Sequence, residues 1–199
     1  MNKIDIIGYV IIIGLLFVCV YTYLDNIDTF DLKCVVSSVD GEKYCVRERK
    51  EIQKAADLLA RVTEKCKALV KYMGQKYPEQ ENVKRLVQGF NPTSISETLP
   101  TSTYTAYSEN KGEKLAFCLN VKKEDNNHLI DESTLTFVAL HELSHIATKS
   151  IGHKTEFWDN FKFLLENAKD AGLYQPIDYK KSPQEYCGMK VKDNPYFDA

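Results

Sequence analysis

The hydrophobic pattern of the chain begins with one uninterrupted apolar run near the N-terminus. Residues 6–24 contain no charged side chain, and Tyr21 and Tyr23 lie near the end of the run. A helix needs about 20 apolar residues to cross a bilayer, and tyrosines are common at the membrane surface. A cleaved signal peptide has an apolar region of about 7–15 residues and a small-residue cleavage site. The pattern therefore predicts a retained transmembrane anchor over residues 1–24.

The charges beside this run predict its orientation. Lys3 precedes it, whereas Asp25, Asp28 and Asp31 follow it. Because positive charge tends to stay on the cytoplasmic side, the C-terminal part is expected outside or in a lumen. This predicts a single-pass membrane protein that contacts the membrane through residues 6–24, and a viral membrane is one setting for it.

Residues 34–46 alternate between apolar and polar positions around Asp40-Gly41, which predicts a β-hairpin. We assign residues 25–46 to a juxtamembrane segment that contains this hairpin. Cys34 and Cys45 flank the turn and would form a disulfide in an oxidising compartment, or remain two free thiols. A Cys118–Cys187 bridge is likewise left open, with buried thiols as the alternative.

The next segment repeats apolar residues at helical spacing. The stripe predicts a long helix over residues 47–76, with a shorter helix at about 81–89. The apolar stripe of the long helix can pack into the core of the domain or form a coiled-coil dimer, and the oligomeric state stays open. Basic residues outnumber acidic ones in the long helix, and we interpret them as a solvent-exposed face of that helix. Contact of this face with anionic lipid or nucleic acid is the alternative.

Two further segments precede the last helices. Residues 91–103 are rich in Pro, Ser and Thr and predict a surface loop. Residues 104–121 alternate in polarity around Asn110-Lys111-Gly112 and predict a second hairpin.

Composition narrows the class of protein. The chain has 199 residues, of which 44% are hydrophobic and 27% charged, and its formal net charge is −2. These values are typical of a globular protein and give no overall attraction to nucleic acid. The six cysteines include no Cys-x-x-Cys pair, which excludes zinc-ribbon and thioredoxin-type motifs.

Three of the four histidines lie within residues 139–158, "ALHELSHIATKSIGHKTEFW". Asp131 or Ser133 can cap a helix through this region, on which His141 and His145 would lie one turn apart. Two imidazoles in that geometry can share one Zn²⁺ ion. Glu142 is offset by about 100° from His141, so it can act as general base toward a water without binding the metal.

A catalytic zinc site usually has three protein ligands and one open position. His153 is the predicted third ligand, because Gly152 lets the chain turn back after the helix; Glu166 is the weaker candidate. Phe157 and Trp158 are expected to shield the site from water. A main-chain N–H or a tyrosine should stabilise the oxyanion, and the candidates are Tyr104, Tyr107, Tyr179 and Tyr186.

"HELSHIATKSIGHKTEFW", together with "ENKGEKLAFCLN" and "LIDESTLTFVAL" before it, resembles the WLM family of zinc metallopeptidases. These are relatives of the SprT-like proteases, belong to the zincin group and also occur in large DNA viruses. The resemblance covers about residues 104–174 and implies that His141, His145 and His153 bind zinc while Glu142 is the general base. It also implies that residues 114–121 form the edge strand that pairs with an extended substrate. The interval between His145 and His153 is longer than in the usual family pattern.

These observations predict an α+β fold: a zincin-like metallopeptidase domain over residues 47–199, with a small antiparallel sheet and an active-site helix, behind a single transmembrane helix. The predicted function is zinc-dependent hydrolysis of peptide bonds in a protein or peptide substrate. The alternative is a catalytically degenerate zincin that serves as a membrane-anchored binding or structural protein, for example in a virion. Some relatives cleave proteins that are crosslinked to DNA, and the near-neutral net charge of this chain argues against that role here.

Overall fold

The computed structural model describes residues 3–30, 32–125 and 128–198. Contacts divide the chain into two compact units, Met1–Asp31 and Leu32–Ala199. The first unit is helix α1 (Lys3–Phe30), in which the large apolar side chains from Tyr9 to Tyr23 are 54–72% exposed. Among the described residues, no helix combines the length and the apolar character needed to cross a membrane, for which about 20 successive apolar residues are required. The transmembrane helix predicted for residues 6–24 is therefore not supported.

The second unit contains one five-stranded sheet. Its strands are β1 (Leu32–Val36), β2 (Lys43–Arg47), β3 (Ile95–Glu97), β4 (Ala106–Glu109) and β5 (Lys114–Phe117), in the order β1-β2-β3-β5-β4. The β1–β2 and β4–β5 pairs are antiparallel, whereas β3 runs parallel to both β2 and β5. The sheet is thus mixed and not antiparallel as predicted, because two helices connect β2 to β3 and such a crossover returns the chain in the same direction.

The first predicted hairpin is confirmed as β1–β2. Cys34 lies directly opposite Cys45 in the strand register, and the two form a disulfide. Because this hairpin pairs with β3, it belongs to the sheet of the second unit and not to a separate segment before residue 47.

Helices α2 (Ile52–Lys76) and α4 (Glu132–Ala147) pack against the sheet, and α3 (Glu81–Gly89) and α5 (Thr155–Asp170) pack against these two helices. The apolar stripe of α2 is buried in the core, including Leu59, Cys66 and Met73, so the stripe packs within the chain. This helix begins at Ile52 and not at residue 47, because Arg47 belongs to β2.

Strand β3 lies within the segment predicted as a loop. Glu97 at its end is almost fully buried, accepts a hydrogen bond from the Arg47 main-chain N–H at 2.7 Å and forms an ion pair with Arg49. The Arg47 guanidinium donates to the Thr98 carbonyl at 2.8 Å. These contacts fix β3 between β2 and β5, where its main-chain groups are also paired.

The C-terminal segment packs back onto the sheet. It forms a small antiparallel hairpin of β6 (Gln184–Tyr186) and β7 (Met189–Val191), followed by a 3₁₀ turn at Pro195–Phe197. A buried disulfide joins Cys187 to Cys118, just beyond β5. The C-terminal hairpin is therefore covalently fixed next to the end of β5.

Candidate metal centre

Helix α4 brings two of the predicted ligands onto one face. Its N-terminus is capped by Asp131, whose carboxylate accepts a hydrogen bond from the Thr134 N–H at 2.8 Å. His141 and His145 lie one turn apart near its end, with ring centroids separated by 5.0 Å. The chain then turns at Gly152, which has φ +80°, a conformation that favours glycine.

His153 completes a group of three imidazoles. Its ring centroid lies 4.9 Å from that of His141 and 4.8 Å from that of His145. Candidate ligand atoms of the three residues all lie within 4.8 Å of one another, and the Nε2 atoms of His141 and His153 are 3.0 Å apart. The structure therefore brings all three predicted ligands together.

The donor set fits a zinc ion. Two nitrogen atoms bound to one tetrahedral zinc at 2.0–2.1 Å lie about 3.3 Å apart, close to the separation between His141 and His153. Three imidazoles also leave the fourth position of a tetrahedral ion open, as in catalytic zinc sites. Glu166, the weaker candidate, is exposed on α5 and does not belong to this group.

The imidazoles on α4 are held in the form that binds metals. Burial lowers the pKa of His141 to about 3, with further contributions from the neighbouring His145 and His153. Burial likewise lowers the pKa of His145 to about 4, with contributions from His153 and Lys111. Both rings are therefore neutral near pH 7, and a neutral imidazole nitrogen is the metal-binding species.

Glu142 lies between the two α4 histidines in the chain and is only 5% exposed. Burial raises the pKa of its carboxyl to about 8. A divalent cation held by the adjacent imidazoles would favour the carboxylate and lower this pKa. The residue is therefore placed to exchange a proton with a group bound in the cavity that it borders.

Phe157 forms an aromatic base beneath the three histidines. Its ring centroid lies 4.8 Å from His141, 4.4 Å from His145 and 4.6 Å from His153, and the side chain is fully buried. Trp158 stacks beside His153 at 5.8 Å, and its indole N–H donates to the His153 carbonyl at 3.2 Å. Both aromatic residues therefore contact the histidines directly, but only Phe157 is buried, whereas Trp158 is 45% exposed.

A cavity of about 530 Å³ opens above the imidazoles and is bordered by β4 on its other side. β4 is an edge strand, whereas β5 lies between β3 and β4. The edge strand predicted for residues 114–121 is therefore wrong: the strand at the edge is Ala106–Glu109. The hairpin was predicted correctly, but β3 pairs with β5 and leaves β4 outermost.

The structure divides the four tyrosine candidates into two pairs. Tyr104 and Tyr107 line the cavity, with their ring centroids 6.1 Å apart. Tyr179 is buried against Phe137 at 4.9 Å, and the buried Tyr186 donates to the Thr105 carbonyl at 3.1 Å. Only the first pair borders the histidines among these four.

Sequence reasoning missed Lys111, which also lines the cavity. The only signal was its place in the predicted Asn-Lys-Gly turn, and a turn pattern does not show what its exposed side chain binds. In the structure its ammonium group donates to main-chain carbonyls at the end of α4, including that of His145 at 3.0 Å.

The chain resembles several proteins of large DNA viruses. An uncharacterized protein of Acanthamoeba polyphaga mimivirus is 28% identical over 80% of this chain and 82% of its own length. An uncharacterized protein of Invertebrate iridescent virus 6 is 34% identical over 37% of this chain and 40% of its own length. One of Invertebrate iridescent virus 3 is 39% identical over 30% of this chain and 36% of its own length.

Solved structures of Wss1 are similar to the chain at low sequence identity. The crystal structure from Saccharomyces cerevisiae has a TM-score of 0.47 and 16% identity, and the alignment covers 64% of this chain and 87% of that one. A mutant from S. pombe has a TM-score of 0.40 and 19% identity over 61% of this chain and 91% of that one. No protein-family model matches the chain.

Proposed function

We propose that the unit Leu32–Ala199 is a zinc-dependent metallopeptidase that hydrolyses peptide bonds. The observation that carries this proposal is the convergence of His141, His145 and His153 on one point, next to the buried Glu142 and a cavity bordered by an edge strand. Three imidazole nitrogens form one of the donor sets of catalytic zinc sites, and a glutamate between two helical histidines is the general base of the His-Glu-x-x-His pattern.

The exposed edge of β4 would align a peptide substrate along the strand. An extended peptide can add to a sheet edge through main-chain hydrogen bonds, while its side chains project into neighbouring pockets. Tyr104 and Tyr107 border this path and offer apolar rings with a hydroxyl group at the tip. A protein or peptide in extended form is therefore the substrate class that the cavity supports best.

The chain's own groups divide the chemistry between them. The three imidazoles would hold a zinc ion, and that ion would supply the Lewis acidity for polarising the scissile carbonyl and for acidifying a water. Glu142 takes a proton from the attacking water and returns it to the leaving amine. Tyr104 or Tyr107 donates a hydrogen bond to the developing oxyanion. Phe157, which is buried beneath the three imidazoles, keeps bulk water from that side of the site.

The test is zinc content and casein hydrolysis by the purified full-length chain. We expect about one zinc per chain, lost in His141→Ala, and hydrolysis that falls by at least about 100-fold in Glu142→Gln while zinc is retained. Glu166→Gln is the matched control, because Glu166 is an exposed glutamate of α5 and should leave both quantities unchanged. A wild-type chain that binds no zinc would overturn the proposal. Zinc binding without hydrolysis of a broad set of proteins would favour the binding-module alternative.

A further inference from the structure

The side chain of Lys111 joins the β4–β5 hairpin to the end of the metal-binding helix. Its ammonium nitrogen lies 3.0 Å from the His145 carbonyl, 2.7 Å from that of Thr148 and 3.0 Å from that of Ser150. The last carbonyls of a helix lack partners within the helix, and a lysine can satisfy them. All three donor positions of one ammonium group are thus used by the segment that leads from the second histidine to the third.

Close packing fixes the hairpin tip at this position. A Cβ added to Gly112, at φ +106°, would lie 2.3 Å from the Gly89 carbonyl oxygen and 2.7 Å from the Ile146 side chain. A Cβ added to Gly89 would lie 2.6 Å from the Lys111 carbonyl oxygen. Glycine at both positions therefore lets the tip lie directly against α3 and the last turn of α4.

Two further charged residues hold the same segment. Arg85 donates to the Ala147 carbonyl at 2.8 Å. Glu156 accepts hydrogen bonds from the N–H groups of Lys149 at 3.0 Å and Ser150 at 3.1 Å. Residues 147–150 are thus held by three charged side chains, whereas Ile151, just before Gly152 and His153, is 85% exposed.

We propose that Lys111 is a positioning residue for the metal site: it holds the residue 148–150 segment so that His153 reaches the other two imidazoles. This proposal rests on the function proposed above. Lys111 also lies in the turn that joins the edge strand β4 to β5. Its contacts therefore fix β4 relative to α4. One side chain thereby aligns the strand that would bind substrate with the ligands that would bind zinc.

The direction in which zinc affinity changes when the Lys111 ammonium group is removed distinguishes a positioning role from a purely electrostatic one. Removing a positive charge near a cation site would, through the loss of Coulomb repulsion alone, tighten zinc binding. Loss of an outer contact that orients a ligand weakens metal affinity, by about 10- to 100-fold in typical sites. A weaker affinity after loss of the ammonium group therefore reports the positioning role.

The experiment measures zinc affinity of the full-length chain by competition with a chromophoric chelator, in the absence of any substrate. We expect Lys111→Met to weaken zinc binding by about 10- to 100-fold. Lys111→Gln keeps two N–H donors and is expected to show a smaller loss. Lys114→Met removes a lysine from the same hairpin and is expected to leave the affinity within about 2-fold of the wild type, because Lys114 lies on β5 and not at the tip.

Lys111→Gln also serves if the methionine variant fails to fold, since it retains hydrogen bonding at the helix end. Zinc affinity equal to or tighter than that of the wild type in the folded variants would overturn the inference. A wild-type chain that binds no zinc would instead overturn the proposed function, so the two failures are distinguishable.

Discussion

The phenyl ring of Phe157 lies 4.4 Å from the imidazole of His145, measured between ring centroids. It makes comparable contacts with His141 and His153 and is fully buried. This single side chain therefore supports all three candidate ligands, so its loss should affect the metal site and the core together.

We expect Phe157→Ala to destabilise the protein by about 3–5 kcal/mol and to weaken zinc binding in the molecules that remain folded. Phe117→Ala is the matched control, because Phe117 is a buried phenylalanine of β5 and shows no ring contact with the imidazoles among the described residues. It should lower stability similarly and leave zinc affinity unchanged. Chelator competition and urea denaturation provide the two measurements, and equal zinc affinity of both variants would contradict the supporting role of Phe157.

Among the carboxylate side chains, Glu97 should contribute strongly to the free energy of unfolding. It is buried with Arg47 and Arg49, so Glu97→Gln leaves two buried guanidinium groups without their carboxylate. The expected loss is about 3–5 kcal/mol in the free energy of unfolding. Glu132→Gln is the control: Glu132 also pairs with two cations, Arg61 and Lys65, but those side chains are 31–43% exposed. That change should cost less than about 1 kcal/mol.

The two disulfides should differ in their effect on stability. Cys118–Cys187 closes a sequence separation of 69, whereas Cys34–Cys45 closes one of 11. The chain-entropy model gives about 4 kcal/mol for the first and about 3 kcal/mol for the second. Urea denaturation of the two paired Cys→Ala variants, compared with the oxidised wild type, measures the difference. A larger loss from removing the shorter link would contradict the entropic account.

Asp57 should make stability depend on acid pH. Partial burial raises the pKa of its carboxyl, but hydrogen bonds from Ser37, Ser38 and Gln53 outweigh burial and hold the pKa at about 2. Since this value lies below that of the unfolded chain, about 3.9, the stabilisation is complete above pH 4 and is lost as the pH falls toward 2.

The stability difference between wild type and Asp57→Asn should therefore shrink between pH 4 and pH 2. Ser38→Ala removes one donor to the carboxylate and should reduce the same pH dependence in part. Thermal unfolding followed by circular dichroism over this pH range measures the effect. A difference that stays constant from pH 5 to pH 2 would exclude this role for Asp57.

Features with local causes could be predicted from the sequence. The helix at residues 81–89, the hairpin around Gly41 and the capping of α4 by Asp131 follow from periodicity, turn residues and a polar cap. The gathering of His141 and His145 follows from helical spacing alone. The prediction that the chain turns back and brings His153 toward them rested on Gly152, which has φ +80° in the structure.

Features that depend on distant partners could not be predicted. β3 is three residues long in a segment rich in Ser, Thr and Pro, and its place in the sheet depends on Glu97 meeting arginines from β2 and the segment after it. The family resemblance implied that residues 114–121 form the edge strand, whereas the pairing of β3 with β5 leaves β4 outermost. The role of Lys111 likewise depends on packing between glycines from two different elements.

The parallel pairing of β2 with β3 has a consequence for folding kinetics. The Arg47–Glu97 hydrogen bond spans 50 residues, and the Cys45–Ser96 pairing spans one more, with α2 and α3 between them. Such non-local pairing raises the contact order of the fold. Because the chain must lose loop-closure entropy before these contacts form, folding is slower. The helices can form early from local contacts, whereas the rate of reaching the native state is governed by closure of the sheet around β3.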